Sequence, residues 1–258
     1  MKKKGWKVTA VVAFLIAAVF LVMLAGIYIR RQHAKDLYQG MQKQNETKTE
    51  QEASESESST GKRLDIPVDF ETLQKENPDI YAWITIPGTQ IDYPVVQDPE
   101  DDSFYLDHAA DRTESDSGAI YSEKANSKDF EDYLTVLYGH NMKDGSMFAG
   151  LHAYEDKKYL EEHTDLTVYT PDAILHYKIF AAYLTDNRHV LDYYNQGKDA
   201  DSRKAYIKDI FGQRTMDASI NSKAPVDENS KILTLSTCHR AGKTYRYLVQ
   251  AYLVEKTG

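Results

Sequence analysis

The chain has 258 residues, a formal net charge of −9, eight histidines and one cysteine. With a net acidic balance and no basic patch, nucleic-acid binding is disfavoured. With no second cysteine, an intrachain disulfide is excluded.

The first element is a membrane anchor. Lys2, Lys3, Lys4 and Lys7 precede the uncharged, apolar run 8–29, which Arg30 and Arg31 close. About 20 apolar residues cross a bilayer as a helix, whereas a cleavable signal peptide has an apolar core of roughly 7–15. The run therefore reads as an uncleaved single-pass span. The lysine excess before it predicts a cytoplasmic N-terminus and an extracellular remainder. Residues 1–31 form this anchor. Residues 32–62, rich in Gln, Glu, Ser and Thr, read as a polar extracellular linker, with a transient helix conceivable at 34–44. Residues 63–258 have a globular composition and the length of one domain.

Within that domain a short helix is predicted over 70–76, with Asp69 as N-cap. Strand-like runs follow at 81–86 and 91–96, on either side of Pro87-Gly88-Thr89, and then at 118–121 and 134–140. Short helices are predicted at 146–154 and 157–163, strands at 166–169 and 174–184, and a longer helix at 202–211. Two further strands, 232–238 and 245–254, complete the series. Many short strands with few helices suggest a mostly β fold, a closed or nearly closed barrel with helical insertions, with a β-sandwich as the rival. There is no internal repeat and no phosphate-binding glycine loop. The histidines lack recognised zinc-ligand spacing, so neither a metal site nor a cofactor is expected.

The lone cysteine, Cys238, ends the strand-like run Ile232-Leu-Thr-Leu-Ser-Thr-Cys238. Alternation puts Thr234, Ser236 and Cys238 on one face and Leu233 and Leu235 on the other. An odd cysteine outside the cell is a reactive thiol, half of an intermolecular bridge or an inert buried residue. Folding a hairpin symmetrically about Gly242 sets Cys238 opposite Arg246, on the same face. A one-residue slip would separate them. Thiol chemistry also needs a proton carrier. His140 ends the run Thr135-Val-Leu-Tyr-Gly-His140, with Gly139 placed to let the chain turn sharply. His239 adjoins the cysteine but faces the other way, and ranks second. Cys238, His140 and Arg246 together would supply a nucleophile, a proton carrier and an oxyanion donor for acyl transfer.

Thr234-Leu-Ser-Thr-Cys238 followed by Tyr245-Arg246 resembles the signature of sortases, and Tyr138-Gly-His-Asn141 resembles their histidine segment. The order His, Cys, Arg and the preceding anchor also match. Trp83-Ile-Thr-Ile-Pro-Gly-Thr89 and Asp116-Ser-Gly-Ala-Ile-Tyr121 look like further sortase segments. His140-Asn-Met-Lys-Asp-Gly-Ser-Met-Phe148 with its following helices points to class B. The likeness spans residues 66–254. Some class B members carry a carboxylate shortly after the cysteine; this chain has His239 and Arg240, so no orienting acid is assigned. The resemblance implies an eight-stranded sortase barrel and a cysteine transpeptidase. Cys238 would cleave a C-terminal sorting motif of a secreted protein after Thr and pass the acyl group to a cell-wall or pilin amine. The segment 186–226 would help bind the sorting peptide. Two alternatives stay open: a cysteine protease that releases peptide to water, and a non-catalytic surface domain on the same barrel.

Overall fold

A computed structural model describes residues 2–55, 64–239 and 242–258. Helix α1 spans Lys2–Glu55. Helix α2 is Phe70–Glu76, and the Asp69 carboxylate accepts the Thr72 backbone N–H at its start, as the N-cap reading requires. The strands are β1 Ile80–Thr85, β2 Asp92–Val96, β3 Ile120–Tyr121, β4 Leu134–Tyr138, β5 Asp165–Tyr169, β6 Ile174–Asp186, β7 Ser219–Ile220, β8 Ile232–His239 and β9 Gly242–Thr257. The remaining helices are α3 Lys157–Glu162, α4 Val190–Tyr193 and α5 Ala200–Gly212.

Hydrogen-bonded neighbours run β5-β1-β2-β3-β4-β8-β9-β6, and β6 pairs again with β5. Eight strands thus close on themselves, so the barrel has no free edge in the ring; β7 is a two-residue addition to β6. The mostly β, closed eight-stranded barrel with helical insertions is therefore the fold. A sandwich would have left the β5–β6 seam open.

The alternation of β8 and β9 decides what each face buries. Leu233, Leu235, Tyr247, Val249 and Ala251 belong to the barrel core, along with Trp83, Ile84 and Val95. Ile232 and Leu248, on the other face, pack with Val190, Leu191, Tyr206 and Ile210 of α4 and α5. A buried polar knot joins α5 to these strands. Tyr206 and Thr234 hydroxyls meet at 2.8 Å, both reach Gln250 Oε1 (3.0 and 2.8 Å), and Gln250 Nε2 donates to Tyr183 at 3.1 Å. The polar face of β8 is thus covered as far as Ser236, and Cys238 sits at its half-buried end.

One expectation changes. The polar linker read from residue 32 is helical through Glu55, and its first part is docked on the barrel. Ala34, Tyr38 and Met41 follow i, i+4, i+7 spacing, which places them on one helical stripe. All three are buried. Tyr38 donates to the Gly118 carbonyl at 2.8 Å and sets its ring edge-on to Tyr93, with centroids 5.3 Å apart. Gln42 Nε2 donates to the Asp92 carbonyl at 2.7 Å, and Arg30 pairs with Glu114 at 2.7 Å. Composition registered the polar residues of this segment but not the three that make the stripe. N-terminal to it, α1 is long and apolar enough to cross a membrane, and Phe14, Val19, Phe20, Leu21 and Val22 project outward from it.

Candidate active site

Three segments converge at the open end of β8. Strand β4 pairs parallel with β8, with Tyr138 opposite Ser236. The two chains stay together beyond the last pair. Gly139 N–H donates to the Ser236 carbonyl at 3.1 Å, the Thr237 hydroxyl donates to the Gly139 carbonyl at 2.8 Å, and the Asn141 amide donates to the Cys238 carbonyl at 3.0 Å. Two residues on from the Tyr138–Ser236 pair, just past the end of β4, come His140 on one chain and Cys238 on the other.

From the other side, β9 pairs antiparallel with β8 and sets Cys238 opposite Arg246. The expected juxtaposition is present, but its turn differs. His239 pairs with Gly242, and the register shifts between Cys238 and His239. The hairpin is therefore not symmetric about Gly242: residues 243–245 of β9 have no partners of their own across β8. Residues 240 and 241 lie outside the described residues. Arg246 is also opposite Thr185 of β6, so its strand is held on both edges.

The imidazole of His140 is held by a backbone group. Its Nε2 lies 2.7 Å from the Leu106 carbonyl oxygen. A carbonyl only accepts, so Nε2 carries the proton and Nδ1 is left to exchange one. No acid was assigned to orient this ring, and a carbonyl does so instead. The loop that carries Leu106 is braced from behind. Arg112 binds Asp79 and, at 3.0 Å, Asp98, and lies over the Phe104 ring. The Asp98 carboxylate also accepts the N–H groups of Glu100 and Asp101, each at 2.8 Å.

Gly139 has a reason other than the sharp turn expected of it. Its φ is not among the positive ones; a Cβ there would come within 2.6 Å of Ile120 Cδ1 and 2.7 Å of the Phe148 ring. The glycine permits close packing beneath His140. Tyr121 of β3 completes the rim. Its ring stacks on Tyr138 with centroids 5.4 Å apart. Burial, then the nearby Glu123 carboxylate, push its phenol up to about 12, against the opposing pull of the Arg246 guanidinium. Tyr121 is thus neutral and within the electrostatic reach of both Arg246 and Cys238.

His239 turns to the opposite side of β8, as alternation predicts, and joins a group that was not foreseen. His152 stacks on Tyr247 at 4.9 Å and lies 5.4 Å, ring to ring, from His239. Its Nδ1 is 2.6 Å from Glu155 Oε1, and its Nε2 is 2.9 Å from the Asn141 amide. The histidines looked scattered because their ligand-like grouping spans 87 positions, from His152 to His239. Asn141 is a further residue of the site that the sequence does not single out. It is visible in sequence only as the neighbour of His140, while its partner Cys238 is 97 residues away.

A cysteine paired across β8 and β9 with an arginine, with a histidine just past the end of the flanking strand, is equipment for acyl transfer. A family model for the sortase domain matches residues 84–254. The chain belongs to the sortase family. It is 34% identical over 190 residues to sortase B of Listeria monocytogenes, covering 71% of this chain and 73% of that one. It is 30% identical over 193 residues to sortase B of Staphylococcus aureus, covering 72% and 75%. The solved structure of sortase B from B. anthracis superposes with a TM-score of 0.71 at 25% identity, over 89% of this chain and all of that one. This sortase is accordingly a cysteine transpeptidase of the class B type, and its barrel is the sortase barrel.

Proposed function

We propose that this sortase is held in the cell membrane by residues 8–29, with the N-terminus cytoplasmic and the barrel extracellular, and that Cys238, His140 and Arg246 carry its chemistry. The single observation that supports the site is the double register at Cys238. Antiparallel pairing sets Arg246 opposite it, and the parallel β4 strand, whose last pair is Tyr138 with Ser236, leads two residues on to His140.

The substrate is a sorting motif near the C-terminus of a secreted protein. The Cys238 thiol passes its proton to Nδ1 of His140 and attacks the backbone carbonyl carbon of the motif's threonine, and the C–N bond breaks. Arg246 hydrogen-bonds to the oxyanion that forms in between. The leaving amine takes its proton from His140. A thioester to Cys238 remains. An amino group of a cell-wall peptide or a pilin lysine then attacks the thioester, and His140 accepts the proton that this amine loses. The Leu106 carbonyl bond keeps the Nε2 proton in place, so Nδ1 is the nitrogen that cycles.

The test is incubation of the full-length protein in detergent with a sorting-peptide library and candidate amines, followed by mass analysis. A thioacyl adduct on Cys238 and an amine-dependent ligated product support the reading. Hydrolysis with no ligated product identifies a protease, and neither adduct nor turnover identifies a non-catalytic surface domain.

A further inference from the structure

On the far side of β8 from the Cys238 side chain lies a cluster that acyl transfer does not use. His152 and Glu155 are three residues apart in the 3-10 helix Phe148–Glu155. Three residues make one turn of such a helix, so i and i+3 eclipse and both side chains leave on one side. His239, at the end of β8, comes in from the barrel wall. Its Nε2 is 3.6 Å from Glu155 Oε1, and His152 Nδ1 is 2.6 Å from the same oxygen. One donor atom from each residue falls in a group whose members all lie within 4.8 Å of one another. The side chains of His152 and His239 are only 6% and 12% exposed, while Glu155 is 29% exposed, so the cluster is recessed and open on one side.

We propose that His152, Glu155 and His239 bind a divalent transition metal, Zn²⁺ by donor type, with water in the fourth position. Two imidazoles and a carboxylate form a zinc donor set with an open site. Tetrahedral bonds of roughly 2.0–2.1 Å separate donor atoms by about 3.3 Å. The His239–Glu155 separation is already close to this. The His152–Glu155 hydrogen bond opens as the metal takes the place of its proton.

The ion ties two parts of the active site together. Without metal, His152 donates from Nδ1 to Glu155 and accepts the Asn141 amide at Nε2. With metal on Nδ1, the ring's one proton moves to Nε2, which lies 3.2 Å from the Cys238 carbonyl and donates to it. The Asn141 amide then gives up its contact with the ring. Metal occupancy thus changes which groups hold the backbone of Cys238, as a metal's outer partners commonly fix its ligands. Tyr247, stacked on His152, keeps the ring plane in place in both states.

The test uses full-length, untagged protein in detergent, stripped with chelator and titrated with Zn²⁺ and Co²⁺. One equivalent should bind, with the intense visible absorption of four-coordinate Co²⁺ but no thiolate charge-transfer band. Zn²⁺ should raise the melting temperature. Glu155→Gln, which keeps the side-chain shape, and His239→Ala should each weaken binding by at least about tenfold and remove the thermal shift. Cys238→Ala should retain both. Absence of stoichiometric binding overturns the proposal. So does a metal lost in Cys238→Ala but kept in His239→Ala, since that ion would sit on the thiol. Should His239→Ala fail to fold, the Glu155→Gln titration decides alone.

Discussion

The Leu106 carbonyl oxygen lies 2.7 Å from His140 Nε2 and fixes the tautomer of that ring. The residues are 34 positions apart, and the bond makes the geometry of His140 depend on a separate segment of the chain. That dependence is open to experiment.

Arg112 holds this loop through Asp79 and Asp98, whose side chains are 10% and 5% exposed. Arg112→Ala leaves both carboxylates without their cation. The expected loss of stability is roughly 1–3 kcal/mol, less than for a fully buried pair, because the guanidinium itself is 43% exposed. Denaturant unfolding measures it. Turnover per folded molecule should fall as well, since Leu106 is carried on the same loop. Unchanged turnover would show that the Leu106 carbonyl keeps its place at His140 without Arg112.

Asp98 also predicts a response to acid. Burial would raise its carboxyl, but the Asp101 and Glu100 N–H groups and the Arg112 guanidinium outweigh burial and hold it below the ordinary value. A carboxylate with a depressed folded-state pKa contributes stability that is complete above its unfolded pKa, about 3.9, and lost as pH falls through the folded value. The melting temperature should therefore drop below about pH 4, and the drop should be shallower in Asp98→Asn, which starts lower at neutral pH. Parallel melting curves against pH for the two proteins would refute the assignment.

Cys238→Ala should abolish adduct formation and transfer while the fold persists. His140→Ala should lower turnover by about 10²–10⁴-fold through loss of the proton carrier. If His239→Ala were the severe variant in peptide transfer and His140→Ala mild, the assignment of the histidine would be reversed.

Arg246→Lys separates geometry from charge. A guanidinium offers a planar fork of donors, a lysine a single ammonium on a flexible stem. The variant should melt like the parent and lose roughly 10²–10³-fold in turnover. Near-normal turnover with a lowered melting temperature would mark Arg246 as structural.

The docked part of α1 bears on truncation. Removing residues 1–31 spares Ala34, Tyr38 and Met41, whereas removing residues 1–63 strips them from the barrel and uncovers Tyr93. The longer deletion should lower the melting temperature by more than the shorter one, in proportion to the apolar surface exposed. Equal melting temperatures would mean that the helix lies on the barrel without stabilising it.

Local patterning made much of this protein legible from its sequence. Alternation in 232–238 assigned Cys238 and His239 to opposite faces, and the cap at Asp69 and the extent of α2 follow from neighbouring side chains alone. The Cys238–Arg246 pairing was readable because both residues lie close to one turn, although the turn itself sits at a different place, with a shift after Cys238. What the tertiary structure decided are the contacts between distant segments. Closure through β5 and β6, the parallel run of β4 beside β8, the Leu106 carbonyl at His140 and the meeting of His152, Glu155 and His239 each join residues that share no periodic pattern. Periodicity records which way a side chain points relative to its own strand or helix. Which distant element fills the space it points into depends on how the barrel closes, and that is a property of the whole chain packed at once.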